Sequence, residues 1–386
     1  MDVTRTVSRL LLFLVLLCSR FSYALVLPEE RADVLYHSYD GGGVSVSGPS
    51  ILVRKGIGDS VSVSANQYMD NVSGASIDVD MITGGSKYTE SRNQQSVSVD
   101  YLYDKSIMSY SYTKSVENDY EAVTQNINMT QEMFGGLTTV GIGYTIGNNI
   151  VGQIGSPLSE PVALRSYRLT LSQVLTKNTV MSVIYEIITD EGFLRNPYRS
   201  VRYDNSSAGD PLNPYLLESE NYPNTRTSNA AAVGVKYYLP YRAAVSVGYR
   251  AFTDTWQIAA NNFDIGYVHP VGDNWMFEID FRFYSQTSAS FYNDLFAFSN
   301  QFEFRARDKE LSTYSYNSFG VGVSYEFAKN DASWIKKASV NLNYNYFSFT
   351  YEDFRDARVS TLATLGQEPV YSFTADVIRF YVSIWF

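Results

Sequence analysis

Imidazoles, thiols and phosphate-cradling glycines are scarce in this chain. Its histidines are His37 and His269, and its one cysteine, Cys18, lies in an apolar N-terminal run. His37 has Asp33 and Asp40 near it in sequence, the residue types of an Asp–His or Ser–His hydrolytic arrangement. His269 precedes Pro270 at the end of a distant segment, so two imidazoles do not readily converge on a metal. A lone histidine is far more often structural than catalytic, and the expectation is a non-enzyme without cofactor or metal. Gly41-Gly42-Gly43 lacks the GxxxxGK[ST] and GxGxxG spacings and reads as a tight turn.

The charged residues that could act on a solute sit instead in alternating rows. Over 275–287 Trp275, Phe277, Ile279, Phe281 and Phe283 alternate with Met276, Glu278, Asp280, Arg282 and Tyr284. A period of two sends the sets to opposite faces of a strand. Charges are costly against lipid at mid-depth, so the second row belongs inside a barrel. The same parity places Arg250, Arg168, Asp264, Glu132, Glu326 and Lys236 on inward rows, with Asn126, Asn128, Thr130, Thr170 and Ser324. Over 336–351 Val340, Leu342, Tyr344 and Tyr346 face out while Ser339, Asn341, Asn343 and Asn345 face in. The inward charges are of both signs. They read either as a constriction that selects solutes or as ion pairs that neutralise the wall.

Such rows require strands. About ten alternating residues recur near 32–39, 44–55, 60–72, 91–103, 106–117, 122–133, 138–147, 162–175, 179–190, 225–239, 242–254, 257–269, 275–287, 313–327, 336–351 and 371–386. The reading is all-β: a transmembrane antiparallel β-barrel of about 16 strands, with 14 as the alternative. Short connections alternate with a set that includes the long 73–90, 149–161, 191–224, 288–312 and 352–370, as in bacterial barrels with short periplasmic turns and long extracellular loops. Tyr (32) and Phe (22) are abundant at 45% hydrophobic content, and no run of about 18 apolar residues follows the N-terminal segment. A closed barrel then remains as the way to satisfy backbone polar groups in lipid.

The chain ends agree. Residues 1–24 combine Arg5 and Arg9, an apolar run from Leu10 and Ser22-Tyr23-Ala24, the form of a cleaved export signal. Leu17 is bulky for a lipobox before Cys18, so cleavage after Ala24 is expected, leaving 25–386 as one barrel domain. At the other end Ile378, Phe380, Val382, Ile384 and Phe386 alternate strictly, which resembles the terminal assembly signal of bacterial outer-membrane β-barrels. The mature charge is (30 − 3) − (40 − 1) = −12, which argues against nucleic acid as a partner. The expected location is the outer membrane. Expected partners are its lipids, the barrel-assembly machinery and periplasmic chaperones, with a periplasmic or extracellular protein partner left open.

Two loop features remain. Segment 191–224 carries Arg195, Arg199 and Arg202, with Tyr198, Tyr203, Tyr215 and Tyr222. It reads as an external mobile loop, or as one that folds inward with its arginines opposing acidic wall residues. The run Arg305-Ala306-Arg307-Asp308-Lys309-Glu310 reads as a solvated face, and as an anion site only if clustered.

Several stretches carry a family likeness: Leu27-Pro28-Glu29-Glu30-Arg31-Ala32-Asp33-Val34-Leu35-Tyr36-His37, then Tyr39-Asp40-Gly41-Gly42-Gly43 and Gly48-Pro49-Ser50. Asp119-Tyr120-Glu121-Ala122, Met133-Phe134-Gly135 and Ala306-Arg307-Asp308-Lys309-Glu310-Leu311-Ser312 add to it. The chain resembles an uncharacterised bacterial outer-membrane β-barrel family, a domain of unknown function of the 3570 type. The resemblance implies an outer-membrane location, no assigned activity, and a link to an envelope redox system. Residues and resemblance together predict a porin-like channel for small hydrophilic solutes. The alternative is a barrel serving as a structural or partner-binding scaffold.

Overall fold

The computed structural model describes residues 25–74, 88–327 and 334–386; the export signal read over 1–24 lies outside them. Eighteen strands form: β1 Arg31–Gly41, β2 Val44–Ile57, β3 Val61–Gly74, β4 Tyr88–Tyr103, β5 Ser106–Val116, β6 Tyr120–Met133, β7 Thr138–Gly152, β8 Ser159–Thr176, β9 Thr179–Gly192, β10 Ser200–Asp204, β11 Tyr215–Ser219, β12 Thr225–Tyr238, β13 Ala244–Asp254, β14 Ala259–Val271, β15 Trp275–Gln286, β16 Tyr314–Phe327, β17 Lys337–Arg355 and β18 Val370–Trp385. Sixteen close into one antiparallel barrel, and β10 and β11 pair separately as a hairpin. The barrel strands are the sixteen expected from alternation. The end bearing β1–β2, β9–β12, β15–β16 and β17–β18 connections is termed the loop end, and the other the turn end.

Closure runs through the C-terminal strand. β18 pairs with β17 and with β1, in the registers Val340↔Val382 and Val34↔Val382. Ile378, Phe380, Val382, Ile384 and the neighbouring Phe386 therefore stand at the seam, where the last strand meets the first and leaves no open edge.

Register fixes the faces. Ile279 is 48% and Phe281 40% exposed, and their cross-strand partners Val321 and Phe319 on β16 are exposed beside them, forming a continuous apolar outer surface. A surface of that kind calls for lipid around it. Its loop-end limit is marked four times by one device. Outward tyrosines donate diagonally to a polar side chain on the next strand, two residues nearer the loop end than their direct partner. The pairs are Tyr110–Gln125 (3.1 Å), Tyr185–Asn229 (2.9 Å), Tyr249–Asn261 (2.5 Å) and Tyr344–Asp376 (2.5 Å). Each bond satisfies a phenol and an outward polar group together, where aromatic girdles are expected.

Gly48 is required by close approach. The β2–β3 pairing is interrupted at Gly48-Pro49, and a Cβ on Gly48 would stand 1.8 Å from the Met69 carbonyl oxygen. That oxygen is backbone and cannot rotate away. Gly48→Ala is expected to destabilise the refolded barrel by roughly 1–3 kcal/mol, read from urea unfolding in micelles. An unchanged midpoint would contradict the close approach.

Candidate functional site

Ion pairs line part of the barrel wall. Arg54 Nη1 meets Asp100 Oδ2 at 2.5 Å, and Ser109 donates to the other oxygen of Asp100 at 2.6 Å. Arg168 Nη2 donates to Glu186 Oε1 at 2.9 Å, and Arg250 reaches Glu186 Oε2 at 3.5 Å. Asp264 stands opposite Arg282 across β14–β15. Asn345 links Arg379 (2.9 Å) to Asp280 (3.4 Å).

The wall is nevertheless open to solvent at mid-depth. The Arg168 and Arg250 side chains are 55% and 46% exposed, and Asp280, Arg282 and Lys236 are exposed as well. Gly320 and Gly322 stand beside Asp280 and Glu278 on the inward row, where the Asp280 carboxylate and the Asn345 and Asn343 amides lie over them. Glu278, Asp264 and Glu326 are half-buried on the same rows. Glu132 shares the inward parity but is buried near the turn end. Neutralised pairs and solvent-facing charges thus coexist. Glu186, Arg54, Asp100 and Arg379 belong to this set too; the parity that marked the others also marks them.

The loop end is covered by a cap built from the β9–β12, β15–β16 and β17–β18 connections. Arg202, on β10, is fully buried. Its Nη1 and Nη2 donate to Glu368 at 2.7 and 3.1 Å, its Nε donates to the Asp294 carbonyl at 2.9 Å, and Nη2 also pairs with the Asp294 carboxylate. Arg307 pairs with the same Asp294 carboxylate at 2.9 Å and donates to the Arg355 carbonyl at 2.7 Å, while its backbone N–H donates to Glu220 at 2.7 Å. Bridges Tyr203↔Phe296 and Asn221↔Arg305 join the first two loops through the backbone. Tyr222, Trp256, Ile258, Ala289, Ala306 and Leu311 form an apolar cluster beside them. Along the rim Tyr198 donates to Asp119 Oδ2 at 2.5 Å and accepts from the Ile154 N–H at 2.8 Å, and Gln153 donates to the Pro197 carbonyl at 3.2 Å. Segment 193–199 thereby reaches from β9 to the β5–β6 and β7–β8 connections.

Three sequence expectations are corrected here. Segment 191–224 is no free external loop: it holds a hairpin, and its Arg199 and Arg202 pair with acids of other loops rather than of the wall. Arg202 takes Asp294 and Glu368, Arg199 pairs with Asp308, and Arg195 donates to the Glu220 carbonyl at 2.8 Å. The run 305–310 is no solvated face, because Ala306, Arg307, Asp308 and Lys309 are buried. Charge runs look alike in sequence whether water or opposite charge surrounds them. His37 pairs with Asp70 at 2.7 Å and stacks on Tyr68, rather than engaging Asp33 or Asp40. Its row partner comes from β3, which sequence proximity could not indicate.

The latch responds to acid. Burial alone would raise the Glu368 carboxyl, but hydrogen bonds from Arg202 and Ser360 outweigh it and hold the group below the ordinary range. A carboxyl depressed in the folded state stabilises above its unfolded pKa of about 4.3, and loses that contribution as pH falls through the folded value. Cap proteolysis in the refolded protein is therefore expected to accelerate below about pH 4 while the barrel persists. A cleavage rate flat to pH 3 would contradict the latch. Tyr198 is pushed up to about 12 by burial and by its bond to Asp119, so it stays a donor throughout.

Glu90, Glu117 and Asp119 bring carboxylate oxygens within 4.8 Å of one another at the loop end, the donor type that hard cations prefer. Arg92 lies 3.6 Å from Glu117, and Tyr198 already donates to Asp119. Burial raises the Glu117 carboxyl against the pull of Arg92. This trio is therefore partly neutralised by protein groups.

A closed sixteen-strand barrel with an apolar exterior and charged interior defines the outer-membrane β-barrel class. Residues 163–350 match the family described as "Protein of unknown function (DUF3570)", the family that the sequence motifs resemble. Of the stretches carrying that resemblance, Ala306–Ser312 falls within the match. A bacterial polysaccharide outer membrane secretin shares the fold at TM-score 0.50 and 8% identity, covering 93% of this chain and 100% of that one. The CymD monoaromatic hydrocarbon channel gives 0.43 at 10% identity over 93% and 89% of the two chains. A Pseudomonas aeruginosa FadL homologue gives 0.39 at 10% over 93% and 90%. At 8% identity the likeness to the secretin is one of fold alone. No curated protein matches the sequence.

Proposed function

We propose that the protein is an outer-membrane channel for small hydrophilic solutes, with entry governed by the loop cap. The observation that carries this reading is the solvent exposure of Arg168, Arg250, Asp280, Arg282 and Lys236 inside a closed barrel. Packed or fully paired side chains would close the interior, whereas exposed charges mean water at mid-depth. The loop end faces outward and the turns face the periplasm, and β18 serves as the strand read by the assembly machinery. The pore-lining set is Glu278, Asp280, Arg282, Arg250, Arg168, Asp264, Glu326 and Lys236. Glu132, being buried, has no part in it.

Salt-gradient recordings in planar bilayers test the reading. Asp280→Asn and Arg282→Gln are expected to move the reversal potential in opposite directions, Asp280→Asn toward anions. No movement with either would remove the exposed row from the conduction path. A scaffold role is favoured by one feature: Leu212, Phe298 and Phe302 are 88%, 59% and 54% exposed on the cap. A barrel that never conducts, yet co-purifies stoichiometrically with a protein lost on Phe298→Ser and Phe302→Ser, would favour it.

A further inference from the structure

A cavity of about 630 Å³ lies between the cap and the β9–β16 wall, within the size range of small-molecule sites. One end is acidic. Asp190, half-buried on β9, has no hydrogen bond or ion pair among the described residues. Arg226 faces it across β9–β12 but is held by Asp254 at 2.8 and 2.5 Å. Glu310, on the cap, also lines the cavity, 67% exposed, with its contacts to Arg199 and Lys309 stretched to 3.7 and 3.6 Å.

The other end is basic. Arg250 reaches Glu186 only at 3.5 Å, and Glu186 is already engaged by Arg168 and Ser166, so guanidinium donors remain. Opposite Arg250 across β13–β14 stands Asn262, whose Oδ1 is buried without a partner. Between the ends lie Leu194 and Phe252, half-buried against the Tyr222–Trp256 cluster.

The register sets the span. Asp190 pairs with Arg226 and Arg250 pairs with Ala232, so six residues of β12 separate the two levels. That is about 20 Å of backbone, and the reach of the arginine leaves roughly 12–15 Å between charged heads, the length of three or four extended residues.

We propose that this cavity binds a short zwitterionic peptide. Its ammonium sits on Asp190 and its carboxylate on Arg250. An apolar side chain lies on Phe252 and Leu194. This rests on the channel reading and names the solute class.

The test is calorimetric titration of the refolded full-length barrel with Ala-Phe-Ala, its N-acetylated form and its C-terminal amide. The free tripeptide is expected to bind at least tenfold more tightly than either blocked form. Asp190→Asn should erase the discrimination against the acetylated form, and Arg250→Gln that against the amide. Equal binding of all three forms, or none, would overturn the proposal. If Asp190→Asn does not fold, judged by heat-modifiable gel migration, the wild-type series and Arg250→Gln decide. Conductance without discrimination among the peptides rejects this site and keeps the channel. Binding with silent bilayers keeps the site and rejects the channel.

Discussion

Arg202→Met releases the cap and leaves the barrel standing. Arg202 neutralises Asp294 and Glu368 where all three are nearly excluded from solvent. Methionine fills much of the volume but strands the buried Glu368 carboxylate and leaves Asp294 to Arg307, a loss of roughly 3–5 kcal/mol for a broken buried pair. Three connections meet at this point, so the loss is concentrated on their docking. Protease is expected to cut within 193–224 at least a hundredfold faster than in wild type, while heat-modifiable migration on gels is retained. Neutralising Glu368 as well, Arg202→Met with Glu368→Gln, should restore much of the resistance, because Asp294 keeps its pair with Arg307 and the stranded carboxylate is gone. Equal cutting rates in wild type and the single variant would mean that the cap is held by its apolar contacts.

The second large effect concerns the outer face. Phe281→Arg places a guanidinium in the middle of the apolar row on β15, between Ile279 and Phe283. At the midplane of a bilayer this costs roughly 2–4 kcal/mol. The neighbouring Asp280→Arg, one residue away and inward by register, is expected to cost under ~1 kcal/mol, in line with its exposed setting. Unfolding of both variants in lipid vesicles compares them directly. Equal losses at positions 280 and 281 would mean that the faces are misassigned, since a one-residue shift exchanges inside and outside.

The barrel was legible because its signal is local and repeated. Alternation at Trp275–Phe283 or Ile378–Phe386 states face and element together, and the short and long connections fix the sense of each strand. Glu278, Asp280 and Arg282 followed from parity alone. The cap was not legible, because its contacts join residues far apart without periodicity: Arg202 meets Glu368 166 positions away, and Tyr198 meets Asp119 79 away. A hairpin of two five-residue strands inside a Pro- and Asn-rich segment gave no distinguishing pattern. His37 belongs to the same class of miss, since its partner Asp70 is set by the β1–β2–β3 register rather than by nearness in sequence. Burial of the 305–310 run likewise depends on carboxylates brought by other loops.

The central claim is a water-filled lumen controlled by that cap. Single-channel recording of the refolded wild type beside Arg202→Met tests it most directly. Small or brief openings are expected in the wild type, and steady openings of several-fold higher conductance once the latch is broken. Silence from both proteins, each verified as a folded barrel, would contradict it.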